Sequence, residues 1–184
     1  LHRAGKRIVY VNCSGSAVAL EPEAQHCDAI LQAWYPGQAG GTAVADVLFG
    51  DYNPAGRLPV TFYKNQAQLP DFEDYRMQGR TYRYFRGEPL FPFGHGLSYT
   101  TFDYGKAKLS AKHIKTGTPV QLTIGLRNRG PRDGEEVVQV YVRRNDDPDG
   151  PSKSLRAFRR VAIKAGKRAE VVFTLDGSAF ECFD

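Results

Sequence analysis

The sequence predicts two architectures in succession, an α/β segment and then an all-β sandwich. Short continuous apolar runs separated by Gly- and Pro-rich turns occupy the first third of the chain, as in buried parallel strands joined by helices. From about Thr100 onward, apolar and polar residues alternate with period two, the pattern of strands that bury one face. The 184 residues can form one domain or two small ones.

The α/β segment contains two strand patterns and one helix pattern. The apolar runs at residues 8–12 and 29–34 predict buried strands, and the second run ends where Tyr35-Pro36-Gly37 stops regular structure. Residues 39–49 predict a helix, because apolar side chains recur there at helical spacing and Gly50 follows as a stop signal. Two strands and a helix make only part of an α/β sheet.

A segment rich in proline, glycine and aromatic residues follows, from about Asp51 to Tyr99. Its prolines and glycines disfavour regular elements over most of its length. Its eleven Phe and Tyr side chains are too much apolar area to leave in water, so the segment is not a flexible linker. We expect an ordered connector that packs against both of its neighbours.

The last part of the chain predicts about five strands with turns between them. The apolar faces are clearest at residues 120–126, 138–142 and 169–175, and residues 102–109 and 155–163 add two further strands. Turn signals occur at short intervals, as in an all-β sandwich of the immunoglobulin-like type. A complete sandwich of that type has about seven strands, so we expect the sandwich to lack its last strand and to expose a sheet edge through which the chain associates.

Composition excludes several classes of protein. The net charge is +5, from 25 Lys and Arg against 20 Asp and Glu, but the basic residues are scattered along the chain beside acids, so we predict no nucleic-acid partner. No apolar run approaches the roughly 20 residues of a membrane span. Cys13, Cys27 and Cys182 show no metal-ligand spacing, and His95 has no partner ligand nearby, so we predict no metal and no cofactor. Free thiols are expected, although the sequence leaves a Cys13–Cys27 bridge open.

Four ordered blocks make the sequence recognisable. They are the stretch AWYPGQAGG at 33–41, the stretch DVLFGDYNPAGRLPVT at 46–61, the pair TYRYF and PLFPFGHGLSY at 81–85 and 89–99, and EEVVQVYV at 135–142. These blocks resemble the C-terminal half of family 3 glycoside hydrolases of the β-xylosidase and β-glucosidase type. The resemblance covers nearly the whole chain.

The resemblance implies a division of the chain into three parts. Residues 1–65 would be the C-terminal part of an α/β sandwich domain, residues 66–99 the aromatic and Pro-rich connector, and residues 100–184 a fibronectin type III-like domain. The TIM-like barrel of the family takes about 250 residues and cannot be contained in this chain. The chain is therefore expected to be a C-terminal fragment whose remaining domains belong to the same polypeptide.

The resemblance also implies a reaction. Family members like this chain remove terminal β-xylose or β-glucose from oligosaccharides or glycosides with retention, which needs two carboxyl groups about 5 to 5.5 Å apart. In the family the nucleophilic Asp lies on the barrel, and the acid/base Glu lies upstream of where this chain begins. Glu21 and Glu23 fall beyond that segment, so we predict no catalytic residue in this chain and no activity of the chain alone.

One run of residues is a candidate rim of the sugar pocket. The stretch LPDFEDYRMQGR at 69–80 mixes acids, arginines and aromatics, the residue types that hydrogen-bond sugar hydroxyls and stack on sugar rings. Tyr75, Arg76 and Arg80 are the candidate substrate contacts. The alternative interpretation is packing between domains, with ordinary ion pairs.

Three alternatives remain open from the sequence. A stand-alone β-sandwich module that binds a carbohydrate or a protein is the second hypothesis for function, and sugar binding by the isolated chain would favour it. Xylose and glucose specificity are not separated, although the block at 80–84 resembles xylosidase-like members slightly better. A secreted or periplasmic parent fits enzymes of this type, but this chain shows no targeting segment and its compartment is undetermined.

Overall fold

The computed structural model describes residues 1–181, and the chain forms two compact units. The first unit comprises Leu1–Tyr52 and Leu58–His95, and the second comprises Asn53–Arg57 and Gly96–Asp184. Residues 53–57 thus lie in the second unit, whereas the division implied by the family resemblance places them in the α/β domain.

The first unit contains a small parallel sheet. Strand β1, Val9–Asn12, pairs in parallel with β2, Ala29–Gln32, and helix α1, Glu21–His26, lies between them in the chain. Helix α2, Gly40–Phe49, follows β2 and ends at Gly50, whose φ of 85° is the left-handed conformation that glycine adopts readily. The prediction of two parallel strands followed by a helix is confirmed.

The strands of this sheet are less buried than the sequence predicts. Val9 is 49% exposed, and the side chains of β2 are exposed or half-buried. A continuous apolar run is typical of a parallel strand covered on both faces, whereas the described residues supply only two paired strands here.

Aromatic pairs hold the Pro-rich part of the first unit together. Phe62 is 1% exposed, lies edge-on to Trp34 with ring centroids 6.1 Å apart, and forms an isolated β-bridge with Phe91. Tyr82 stacks on Phe93 at 4.1 Å. The only helical pieces between residues 58 and 95 are a 3-10 turn at Gln66–Gln68 and the single turn α3, Thr81–Tyr84. Ring packing therefore orders a segment that contains almost no regular structure.

The second unit is a two-sheet β-sandwich. One sheet contains β3, Phe102–Tyr104; β4, Lys108–Leu109; β5, Val120–Asn128; and β8, Arg168–Leu175. The other sheet pairs β6, Gly134–Val142, with β7, Ser154–Ile163. The alternating apolar faces of β5, β6 and β8 meet in one buried core, which includes Leu126, Val138 and Val171. A 3-10 turn at Gly177–Phe180 follows β8.

The described part of the second unit has six strands, one more than the five predicted, because residues 102–109 form two short strands. Tyr104 pairs with Leu126, and Lys108 pairs with Thr123, so the register along β5 shifts by one residue between the two pieces. Gly105 lies at the shift and donates its N–H to the carbonyl of Gly125 at 2.8 Å. Both pieces lie along the same edge of β5, since β8 occupies its other edge. The predicted missing last strand concerns the end of the chain, part of which lies outside the described residues.

Candidate functional site

The twelve residues from Leu69 to Arg80, here called the rim loop, wrap around one arginine side chain. Arg80 Nη2 donates to the carbonyl oxygens of Asp71 at 2.9 Å and Asp74 at 2.6 Å. Its Nε donates to the carbonyl oxygen of Arg76 at 3.2 Å, and its backbone N–H donates to the carbonyl of Met77 at 3.0 Å. One guanidinium thus satisfies three backbone carbonyls of an irregular segment and fixes the path of the loop.

A second set of contacts orders the middle of the rim loop. The Asp74 carboxylate accepts from Arg76 Nε at 2.9 Å, from Arg76 Nη2 at 2.8 Å and from the Arg76 backbone N–H at 3.0 Å. This two-pronged pairing with the Arg76 side chain lowers the pKa of the Asp74 carboxyl to about 2. The carboxylate therefore stays ionised at neutral pH.

Apolar side chains project from this ordered backbone into solvent. Phe72 is 90% exposed and Tyr75 is 89% exposed, while Met77 is 50% exposed and Leu69 is 41% exposed. Large exposed aromatic side chains on a well-ordered loop are characteristic of surfaces that bind something. The rim loop thus presents exposed rings on a backbone that is held by hydrogen bonds.

The three residues selected from the sequence lie together in this loop, but their side chains differ in what they can still bind. Tyr75 is open to solvent. Arg76 is engaged with Asp74, although its side chain remains 82% exposed. The guanidinium of Arg80 is engaged with carbonyl oxygens of the loop itself. The structure adds Phe72 to these candidates, because its ring is exposed in the same loop three positions before Tyr75.

The rim loop joins α3 through a constrained turn. Gly79 has φ 72°, and Thr81, a β-branched residue, has φ 58° in the left-handed region. The Thr81 N–H donates to the Tyr63 hydroxyl at 2.7 Å, and Tyr63 packs edge-on against Phe85 at 5.0 Å. The packed aromatic rings of the first unit thus hold the end of the loop in a conformation that threonine seldom adopts.

Residues 1–181 contain no cluster of three or more His, Cys, Asp or Glu side chains arranged to hold a metal ion. Glu21 and Glu23 lie in the first turn of α1, where the positive end of the helix dipole stabilises negatively charged side chains. Cys13 and Cys27 are free thiols, whereas Cys182 lies outside the described residues. No helix in the described part of the chain is long and apolar enough to cross a membrane.

Comparison with models of protein families shows the family to which the chain belongs. Residues 1–99 match the model of the glycosyl hydrolase family 3 C-terminal domain, and residues 136–184 match that of a fibronectin type III-like domain. The chain belongs to glycosyl hydrolase family 3. The family and fold class expected from the sequence are thereby confirmed.

Named relatives and solved structures agree with that assignment. The chain is 60% identical over 184 residues to a xylan 1,4-beta-xylosidase of Xylanibacter ruminicola and 38% identical over 194 residues to a periplasmic beta-glucosidase of Salmonella typhimurium. These alignments cover 100% and 98% of this chain but 21% and 25% of the relatives. The chain therefore spans about a fifth to a quarter of the length of these family 3 proteins.

Two solved family 3 structures contain the same architecture. Beta-glucosidase 3B of Thermotoga neapolitana superposes with a TM-score of 0.88 at 33% identity, covering 100% of this chain and 28% of that one. A beta-glucosidase of Erythrobacter marinus gives a TM-score of 0.86 at 39% identity, with 99% and 24% covered. The chain thus corresponds to the C-terminal part of a family 3 glycoside hydrolase.

Proposed function

We propose that this chain belongs to a retaining β-glycosidase that removes terminal β-xylose or β-glucose from oligosaccharides, and that it scaffolds the catalytic part without supplying a catalytic group. The observation that carries the proposal is the 60% identity over the full 184 residues to a xylan 1,4-beta-xylosidase of which the chain matches only 21%. The alignment covers the whole chain and therefore includes both the rim loop and the sandwich. Because that relative is a xylosidase, β-xylose is favoured over β-glucose as the sugar that is released.

The intact mass and activity of the protein made by the native gene test this proposal. We expect a mass that exceeds 20.5 kDa by at least a barrel of about 250 residues, with hydrolysis of aryl β-xylosides faster than that of aryl β-glucosides. The isolated 184-residue chain should hydrolyse neither. A native product of 20.5 kDa without hydrolytic activity would overturn the proposal and favour a stand-alone binding module.

The rim loop is the part of this chain that we propose to contact substrate in the full-length enzyme. Tyr75 and Phe72 offer exposed ring faces for a sugar unit of the substrate, and the remaining donors of Arg76 can reach sugar hydroxyls. Arg80 acts as a positioning residue, because its donors hold the loop backbone. Planar rings that stack on the apolar faces of sugars contribute mainly to substrate binding. The contribution of the rim loop to substrate affinity should therefore increase with oligosaccharide length.

Substitutions in the full-length enzyme test the rim loop. Tyr75→Ala should lower kcat/KM for xylotriose by about tenfold, mainly through KM, and should lower it much less for methyl β-xyloside. Phe49→Ala is a matched control, since Phe49 is 84% exposed at the end of α2, and should change neither value. Equal losses on both substrates, accompanied by a lower Tm, would show instead that the loop packs against protein.

A further inference from the structure

The positive charge of the chain is concentrated in the second unit. Its residues include 17 Lys and Arg against 11 Asp and Glu, whereas the first unit has 8 against 9. Within the second unit, residues 100–128 and 164–176, which form the four-stranded sheet and its turns, have 8 basic and 3 acidic residues. Residues 129–163, which contain the other sheet, have 8 basic and 6 acidic residues. Basic residues that look scattered in the sequence are therefore most in excess on one sheet.

Two arginines face each other on the outer surface of that sheet. Arg127 of β5 is directly opposite Arg168 of β8 in the strand register, and both are exposed. Like charges at directly opposed positions destabilise a pair of strands. Neither guanidinium has an ion-pair or hydrogen-bond partner among the described residues. The sheet therefore retains an unfavourable pair of charges that nothing in residues 1–181 neutralises by direct contact.

The surface next to this arginine pair is open at Gly125. Gly125 lies two residues from Arg127 on the same face, and a side chain added there would meet no atom within 4 Å. Thr123 and Val172 form the next row across the two strands, and Lys108 is opposite Thr123 at the sheet edge. An extended ligand could lie along this face with the two guanidinium groups at one end.

Acidic residues limit the kind of anion that fits. Asp103 is opposite Arg127 on the edge strand, but its Oδ2 accepts from Arg129 Nη1 at 3.0 Å. Glu170 lies two residues beyond Arg168 on the same face. A polymer with one phosphate per nucleotide would bring dense negative charge against both carboxylates. An isolated anionic group on an otherwise neutral chain avoids this repulsion.

We propose that the outer face of this sheet binds a polysaccharide that carries isolated carboxylate groups, with Arg127 and Arg168 donating to one uronate carboxylate. Guanidinium groups pair with carboxylates through two parallel hydrogen bonds, and two of them can hold one carboxylate from both sides. The choice of a polysaccharide rests on the proposed function, whereas the anionic group follows from the arginine pair.

Calorimetric titration of the 184-residue chain tests the proposal without any hydrolysis. The ligands are a xylo-oligosaccharide that carries one glucuronic acid and the same oligosaccharide without it. We expect the acidic ligand to bind about tenfold more tightly at low salt, and the difference to shrink as salt is added. Equal affinity for the two ligands would overturn the proposal and leave the proposed hydrolase function untouched.

Variants locate the site and separate it from general charge attraction. Arg127→Ala combined with Arg168→Ala should remove the preference for the acidic ligand. Arg143→Ala combined with Arg144→Ala removes the same charge after β6 and should preserve it. Glu170→Gln should strengthen binding, a gain that misfolding cannot produce. An equal loss in both double variants, or tighter binding to single-stranded DNA or to anionic lipid vesicles than to the acidic oligosaccharide, would contradict the assignment.

Discussion

Arg57 and Glu136 form an ion pair inside the second unit, with Nη2 and Oε2 2.6 Å apart and side chains 12% and 11% exposed. The same guanidinium donates through Nη1 to the carbonyl oxygens of Ala55 and Gly56, and Glu136 accepts on its other oxygen from the Tyr104 hydroxyl at 2.7 Å. Both charged groups therefore have several hydrogen-bond partners although they are largely withdrawn from water. This pair joins residues 53–57 to β6 across 79 positions of sequence.

Removing one partner of this pair should be costly. Glu136→Ala leaves the Arg57 charge buried without its counter-ion, and we expect a loss of about 3–5 kcal/mol in the free energy of unfolding of the second unit. Chemical denaturation of the 184-residue chain measures it.

The adjacent residue supplies the control for that experiment. Glu135 also forms an ion pair of 2.6 Å, with Arg160, but these side chains are 38% and 48% exposed. Glu135→Ala should therefore cost at most about 1 kcal/mol, because an exposed pair is screened by water. Similar losses in the two variants would mean that burial does not govern the strength of the Arg57–Glu136 pair.

Tyr104 should lose its hydroxyl proton at a higher pH than an ordinary tyrosine. Burial of its ring, followed by its hydrogen bond to the Glu136 carboxylate, raises the pKa of Tyr104 above the usual value of about 10. Because the folded-state pKa is raised, the stability that this group contributes is fully present below about pH 10 and is lost as the pH rises further.

A tyrosinate absorbance titration checks this prediction. Tyr104 should remain protonated until the second unit unfolds in alkali, and Tyr104→Phe should reduce the number of late-titrating tyrosines by one. An unchanged number of late-titrating tyrosines in Tyr104→Phe would contradict the contact with Glu136.

Asp74 should titrate well below an ordinary aspartate. Its pKa of about 2 arises mainly from the side-chain hydrogen bonds that Arg76 donates. Arg76→Ala should therefore return the midpoint toward 3.8, as measured by NMR of the side-chain carboxyl carbon. An Asp74 midpoint near 3.8 in the unsubstituted chain would mean that the pair does not form in solution.

Asn128 should be the most sensitive polar residue of the sandwich. It is 0% exposed; its Nδ2 donates to the carbonyls of Arg132 at 2.7 Å and Ile163 at 2.9 Å, and its Oδ1 accepts from the Gly130 N–H at 3.0 Å and from the Thr100 hydroxyl. Asn128→Ala leaves these groups unsatisfied and should lower the free energy of unfolding by about 3 kcal/mol.

Exposed Asn145 provides the comparison, and Asn145→Ala should change stability by less than about 0.5 kcal/mol. Thermal or chemical unfolding of the two variants would settle the difference. Equal stabilities would show that water replaces the lost hydrogen bonds of Asn128.

The sequence could predict the elements whose physics is local. The alternation at 120–126 and 169–175 predicts β5 and β8. In a half-buried strand successive side chains point to opposite faces, so the polarity of each residue indicates whether it faces the core or the solvent. Helix α2 followed from apolar spacing and a glycine stop. Helix α1 was missed, although Pro22 and two glutamates in its first turn are helix-start signals.

Contacts between distant residues could not be predicted in the same way. Nothing local to Arg57 indicates that its partner lies 79 positions away in β6. The arginine pair on the outer sheet depends on the register between β5 and β8, which fixes which side chains face each other. In the rim loop the sequence could identify the residue types but not their tasks, because only the path of the backbone shows that Arg80 is occupied with carbonyl groups.

One hydrolysis measurement tests the central claim most directly. The 184 residues that correspond to this chain in the Xylanibacter ruminicola xylosidase are exchanged for this chain, and the chimera and the isolated chain are assayed with an aryl β-xyloside. If this chain is the non-catalytic C-terminal part of such an enzyme, the chimera hydrolyses the substrate and the isolated chain does not. A folded chimera without activity, or turnover by the isolated chain, would contradict the claim.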